Sequence, residues 1–300
     1  KGGVALVHML TELGGIECEA TLTRLDKNLF YMLSAAVAEL HDYDWLDQHL
    51  LPDEKVTIRN VSNNYGILVL TGPRSRDVMS KLTDADLSNE AFRWMQAKNI
   101  ELSGIPLRAL RVSFVGELGW ELHHPLEKME ALYDTLLEAG SEYGIANFGT
   151  YAMNSLRMEK AYKGWGSELT TEITPIEAGL ERFVDFNKFF LGREATLSRK
   201  LLGVNTKLVY VSVKTTDSDC LGNEPVLDLE SSETDRKIIG VTTSGAYGHT
   251  VGMSLAFAYV QPQYAEPGTK LDILILGQNC QATVLKEAAY DPKNFRLRDI

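Results

Sequence analysis

The chain has 300 residues, 44% of them hydrophobic and 24% charged, and carries a formal net charge of −11. This is an ordinary globular composition, long enough for two domains or for one large domain with an appendage. The acidic balance excludes a general nucleic-acid binder, which would show a basic face, but not an anionic small ligand held by a few local cations. No apolar run approaches the roughly 18 to 20 residues of a membrane span, and no signal peptide opens the chain. Cys18, Cys220 and Cys280 lie far apart, with no CxxC pairing and no His at metal-ligand spacing. They point to an intracellular, disulfide-free protein without a structural metal.

Lys1-Gly2-Gly3 runs straight into an apolar strand at residues 4–9 with no helix cap, and reads as a chain that begins part-way through a domain. Strands follow at 16–25 and 30–33, separated by Gly14-Gly15 and by Asp26-Lys27-Asn28 turns. In the second strand Glu17, Glu19, Thr21 and Thr23 share one face and Ile16, Cys18, Ala20 and Leu22 the other; the simplest reading of the first face is solvation. Ser34 is placed to cap a helix reaching about residue 50. A strand pair is expected at 56–61 and 65–70, with Gly72 stopping it and a helix opening at Pro73, where a missing N–H costs nothing.

Residues 109–114 and 120–123 read as a β-hairpin. Val112 and Phe114 alternate with Arg111 and Ser113, and Trp120 and Leu122 flank Glu121. Gly116 and Gly119 mark a turn and a close backbone approach. Spacing alone gives two solvated glutamates, Glu117 and Glu121; an inward Glu121 would need a partner, since a buried lone carboxylate is costly. His123 and His124 are neighbours in a strand and face opposite ways, so they cannot serve one metal. An amphipathic helix starts at Pro125, another spans 150–162, and a punctuated connection at 163–184 carries Trp165 and a short helix opening at Thr174-Pro175. That connection is either a functional loop or a crossover with a tryptophan in the core. From residue 206 the chain is strand-rich (208–213, 238–243, 254–260, 271–276, 281–285), which describes an all-β barrel or sandwich. The domain boundary falls near residue 205: 1–205 and 206–300. His249 sits in a surface turn. There is no P-loop, dinucleotide fingerprint, nucleophile elbow or HExxH.

Six ordered segments carry a resemblance: LVHMLTELGGIECEATLTRL, ELHDYDWL, VSFVGELGWELHH, NFGTYAMNSLRMEKAYKGWG, TPIEAGLERFV and GVTTSGAYGHTVGMSLAFAYV. With them the chain resembles the folate-binding C-terminal region of the dimethylglycine dehydrogenases, within the wider aminomethyltransferase (glycine cleavage T protein) superfamily. The resemblance implies an α+β aminomethyltransferase-type folate-binding fold, antiparallel sheets with packed helices, followed by a small C-terminal β-barrel. It implies that the first strands of the folate domain precede Lys1. Cys18-Glu19, Met153 and AYKGWG look like the dehydrogenase branch; the T proteins have paired aspartates, an arginine and RLEAG at the matching places. Sarcosine dehydrogenase is a near neighbour.

The implied activity is capture of an iminium-derived one-carbon unit on tetrahydrofolate as 5,10-methylenetetrahydrofolate. The iminium is made by a flavin dehydrogenase domain, with FAD, N-terminal to this sequence in the same parent chain; as given, the chain oxidises nothing. Neither nucleic acid nor membrane is an implied partner. The implied compartment is the cytoplasm in a bacterium or the mitochondrial matrix in a eukaryote. Carried over by position, the folate contacts are Glu19, Ala20, Thr21, Phe114, Glu121, Leu122, His123 and Arg182. Glu121 would accept the two parallel donors of the pterin edge and Phe114 would pack on the ring. Glu19, the catalytic candidate, would position the reactive nitrogens or take a proton, and Lys163 or Arg182 would meet the anionic glutamate tail. Phe114 stands where the family usually has tyrosine, Arg182 where the dehydrogenases have tyrosine, and Glu19 where the T proteins have aspartate. Two other readings share the fold: a stand-alone aminomethyltransferase or folate-dependent demethylase, and a non-catalytic regulatory relative like the pyruvate dehydrogenase phosphatase regulatory subunit.

Overall fold

The computed structural model describes residues 1–229 and 236–299. In chain order its strands and helices are β1 (Val4–Leu10), β2 (Ile16–Asp26), β3 (Leu29–Ser34), α1 (Glu39–Gln48), β4 (Tyr65–Thr71), α2 (Ser75–Ser80), β5 (Ala97–Leu102), β6 (Ile105–Leu110), β7 (Gly119–Pro125), α3 (Met129–Gly140), α4 (Thr150–Glu159), α5 (Arg193–Leu202), β8 (Lys207–Val213), β9 (Pro225–Leu227), β10 (Ile238–Gly248), β11 (Met253–Val260), β12 (Lys270–Ile275), β13 (Gln278–Val284) and α6 (Phe295–Arg298). The chain divides into two compact units. The first holds Lys1–Val7, Glu19–Phe148 and Asn294–Ile300; the second holds His8–Cys18 and Gly149–Lys293.

In the first unit, β4-β7-β6-β5 form an antiparallel sheet. Alternation gives it two distinct faces. Leu70, Leu107, Ala109, Trp120 and Leu122 point to one side and pack on Val78 and Met79 of α2 and Leu132 and Leu136 of α3. The other side carries Val69, Leu110 and Glu121 in one row and Ile67, Arg108 and His123 in the next. The β1-β2-β3 sheet supplies groups to that second side: Val4 packs with Ala97 and Leu110, and Tyr31 meets His123. In the second unit, β10-β11-β8-β13-β12-β9 close into a barrel filled by valines, isoleucines and alanines of alternate positions.

An antiparallel α+β fold followed by an all-β barrel is what the sequence implies, and the barrel settles the choice left open between barrel and sandwich. Several local expectations fail. Residues 56–61 alternate but form no strand; β4 pairs with β7 instead. Ser34 ends β3 rather than capping α1, whose N-terminus has no side-chain cap. The helix expected at Pro73 starts at Ser75, and Thr174-Pro175 opens turns, not a helix. The hairpin exists, but its first strand ends at Leu110, so residues 111–118 form the connection. The polar face of β2 is not solvated: Glu17 and Thr23 are buried, and Glu19 and Thr21 half-buried. β5, β9 and α5 were not expected at all.

Candidate functional site

Glu121 is placed by β7. Its register opposite Val69 and Leu110 sets it on the face away from α2 and α3. Gly119, two residues before, lets β4 close on β7: a Cβ there would lie 2.8 Å from the Leu70 carbonyl oxygen. Gly116 turns the preceding connection at φ +80°, a conformation costly for any residue with a Cβ.

The Glu121 side chain is 23% exposed, and its Oε2 lies 3.2 Å from His123 Nε2. His123, two residues on and on the same face, is fully buried. Its other ring nitrogen, Nδ1, is 2.9 Å from the Tyr31 hydroxyl. The Arg108 guanidinium stands 4.6 Å from the centre of the Tyr31 ring, and Tyr65 meets that ring edge-on at 6.1 Å. Burial pushes the Tyr31 phenol above its ordinary range, against the pull of Arg108; at neutral pH it is an O–H donor. Glu121 Oε1 has no hydrogen-bond partner among the described residues. The arrangement therefore offers one partly exposed carboxylate oxygen, backed by a buried histidine, to a donor from outside.

The residues implied by resemblance do not all stand with it. Glu19 and Thr21 are half-buried on the face of β2 that also carries Thr23, paired across with Tyr31. Phe114 is 39% exposed in the connection before β7. Ala20 is buried on the opposite face of β2. Leu122 is buried in the core against the helices, so its side chain has no surface to offer a ligand. His123 is likewise closed to a ligand, because both nitrogens are engaged and its surface is covered. Glu121 is not the solvated hairpin residue that spacing gives. Arg182 belongs to the second unit. It is exposed there, on the rim of a groove of about 570 Å³ that also holds Arg199, Lys200, Lys207, Glu177 and Glu181. Tyr31 and Arg108 escaped the sequence reading: a tyrosine on an edge strand and an arginine in a strand carry no spacing signal.

His124 points the other way, with Nδ1 near the Pro125 carbonyl oxygen at 2.9 Å. Among the described residues no group of three or more His, Cys, Asp or Glu is placed to hold a metal, and no helix is long and apolar enough to cross a membrane. Cys18, Cys220 and Cys280 are buried, and none of them forms a disulfide among the described residues.

Comparison with known proteins gives these elements a family. Residues 1–188 match the family described as GCVT N-terminal domain, and residues 207–291 match the Glycine cleavage T-protein C-terminal barrel domain. The chain belongs to the glycine cleavage T-protein family. Within it, the chain is 40% identical to human dimethylglycine dehydrogenase, mitochondrial, over 99% of this chain and 34% of that protein. It is 30% identical to an aminomethyltransferase of Caldanaerobacter subterraneus subsp. tengcongensis, over 98% of this chain and 76% of that one. The solved aminomethyltransferase T of the Bartonella henselae glycine cleavage system superposes on it with a TM-score of 0.83 at 25% identity, covering 97% of this chain and 77% of that one. The chain is thus an aminomethyltransferase-type member related to dimethylglycine dehydrogenases, and it spans about a third of the length of those it matches, 34% in each.

Proposed function

We propose that the chain is the tetrahydrofolate-binding, one-carbon-accepting part of a dimethylglycine or sarcosine dehydrogenase-like enzyme, and that it captures an iminium-derived carbon as 5,10-methylenetetrahydrofolate. The observation that carries this reading is Glu121: an accessible carboxylate oxygen on a rigid strand, fixed by a buried histidine, in a chain 40% identical to a dimethylglycine dehydrogenase. A reduced pterin presents a ring N–H and an exocyclic amino group side by side, and such an edge needs an acceptor-only partner. Glu121 meets that need, and exposed Phe114 supplies an aromatic face for the ring.

Tetrahydrofolate enters as a co-substrate: its two nitrogens bond to the iminium carbon, the bond from that carbon to the donor nitrogen breaks, and the demethylated amine leaves with one of the folate N–H protons while the other is released. The protein's share is to hold the pterin edge at Glu121 and, at Glu19, to orient the reacting nitrogen and accept its proton. Positioning supplies most of the rate, because it removes the entropy of encounter between amine and iminium. Oxidation of the donor amine is proposed to fall to a flavin domain of a longer parent protein.

Calorimetric titration of the folded chain with tetrahydrofolate tests the reading. Saturable binding is expected, and Glu121→Gln should weaken it by about tenfold or more, since charge-assisted hydrogen bonds contribute about 1.5–3 kcal/mol. A chain that shows native circular dichroism and binds no tetrahydrofolate, or a variant that binds as well as the parent, overturns it.

A further inference from the structure

Only Glu121, of the acidic and histidine pair on β7, reaches solvent; His123 is sealed behind it and touches nothing but protein. A histidine in that position acts through its neighbour. Its two partners decide how. The Glu121 carboxylate, when ionised, can only accept, so Nε2 must carry the proton that joins them. In the neutral ring the remaining nitrogen, Nδ1, is an acceptor, and the group facing it is the Tyr31 hydroxyl at 2.9 Å, which can donate to it. The titratable and charged groups around this histidine are Tyr31 on β3, Arg108 on β6 and Glu121 on β7, with Tyr65 of β4 set against the Tyr31 ring. Arg108 sits directly across from His123 in the β6–β7 register, and its guanidinium lies over the Tyr31 ring. Its Nε is buried without a hydrogen-bond partner, so the ring face is what the arginine's charge is held against.

We infer that Tyr31, His123 and Arg108 are positioning residues for Glu121. The Tyr31 O–H locks His123 in the Nε2–H tautomer, that N–H pins Glu121 Oε2, and Oε1 is presented to a planar ligand edge bearing paired N–H donors. The identity of the ligand rests on the folate reading above; the relay does not. The arrangement makes the site selective by hydrogen-bond sense. An edge that offers an acceptor where the pterin offers a donor meets a carboxylate with nothing to give, and the pinned side chain cannot swing away. Arg108 steers Tyr31, Tyr31 fixes the tautomer, and the tautomer fixes the carboxylate.

The ligand-free chain, labelled with ¹⁵N-histidine, tests the relay by NMR. At a pH where the ring is neutral, the His123 signals should report protonation at Nε2, with Nδ1 hydrogen-bonded as an acceptor. Tyr31→Phe should move the Nδ1 signal toward that of an unbonded acceptor nitrogen and leave Nε2 protonated. A wild-type ring protonated at Nδ1, or an Nδ1 signal unmoved in Tyr31→Phe, overturns the inference. Titration with tetrahydrofolate and with its analogue lacking the 2-amino group adds a readout that a merely structural histidine does not move. His123→Leu should lose about tenfold in tetrahydrofolate affinity and most of the discrimination between the two ligands. His123→Gln, whose amide still donates toward Glu121, should return to within about threefold of the parent. Equal affinities for Leu and Gln variants of matched thermal stability overturn the positioning role. If the spectra behave as expected and the parent protein ignores tetrahydrofolate, the relay stands and the folate reading fails.

Discussion

Glu168 shows how much a single residue can hold in the second unit. Its side chain has no exposed surface, and the Arg157 guanidinium reaches it at 3.0 Å. The same carboxylate accepts from the Gly164 backbone N–H and from the hydroxyls of Thr243 and Ser244, while its carbonyl oxygen accepts from Tyr259. These bonds tie the Trp165 connection to the end of α4 and to β10 and β11. Removing the acid leaves a buried guanidinium without its counter-charge, a change that costs about 3–5 kcal/mol. Glu168→Ala should therefore lower the urea midpoint by that equivalent at constant m-value; a loss below about 1 kcal/mol would show that Arg157 finds another acceptor. The sequence hides this role, because Glu168 lies in the polar part of the 163–184 connection, where no periodicity assigns it a face or a partner. Glu121 became a candidate through the family resemblance, because spacing alone reads it as a solvated hairpin residue. The pairing behind it was not legible: Tyr31 and His123 are separated by 92 residues, and local periodicity says nothing about pairs that distant.

At the scale of elements, legibility follows environment. Long strands with one covered face, such as β2, β8 and β11, show their alternation or apolar run plainly. β5 reads Ala-Lys-Asn-Ile-Glu-Leu and lies at the edge of its sheet, where polar residues are tolerated and the pattern blurs. The alternating stretch at residues 56–61 is mostly exposed and finds no partner strand, so β propensity alone does not make it one. The β4–β7 pair, which carries Glu121, depends on Gly119. A side chain there collides with the Leu70 carbonyl and with Thr71, backbone and a β-branched residue that cannot simply rotate aside. Gly119→Val should cost about 1–3 kcal/mol, the usual price of overpacking. It should also speed hydrogen exchange of the amides at the end of the β4–β7 ladder where Thr71 pairs with Gly119 and Leu70 with Trp120. Unchanged exchange at Leu70 and Thr71 would mean the strands part without cost and that the glycine serves only the turn.

At the scale of the whole molecule, a sequence reading reached the architecture because barrel and helix-covered sheet each repeat their pattern over many residues, while the closure of the barrel is a non-local fact. Among the described residues of the barrel unit, burial holds the protons of Cys220, Tyr210 and Tyr259 most strongly, and raises the Cys280 thiol as well. Burial pushes the Cys220 thiol up to about 12 from an ordinary 9.0. Burial likewise raises the Tyr210 and Tyr259 phenols well above theirs, and each donates its hydroxyl to a backbone carbonyl, of Met158 and Glu168. An unfolded chain releases the thiol proton near pH 9 and the phenol protons near pH 10. Between those values and the raised ones, the unfolded state binds fewer protons than the folded state, so stability falls as pH rises. The contribution is complete below about pH 9 and is lost progressively above it, Cys220 ceasing to add to the slope near pH 12. With Cys220, Tyr210 and Tyr259 all ionised in the unfolded chain, their slope reaches about 4 kcal/mol per pH unit. Urea titrations at pH 8, 9, 10 and 11 should trace this decline, and Tyr259→Phe, which removes one titrating proton, should flatten the slope above pH 10 by about 1.4 kcal/mol per unit. An equal slope in that variant would mean Tyr259 ionises in the folded barrel as readily as in the unfolded chain, and that water reaches its hydroxyl.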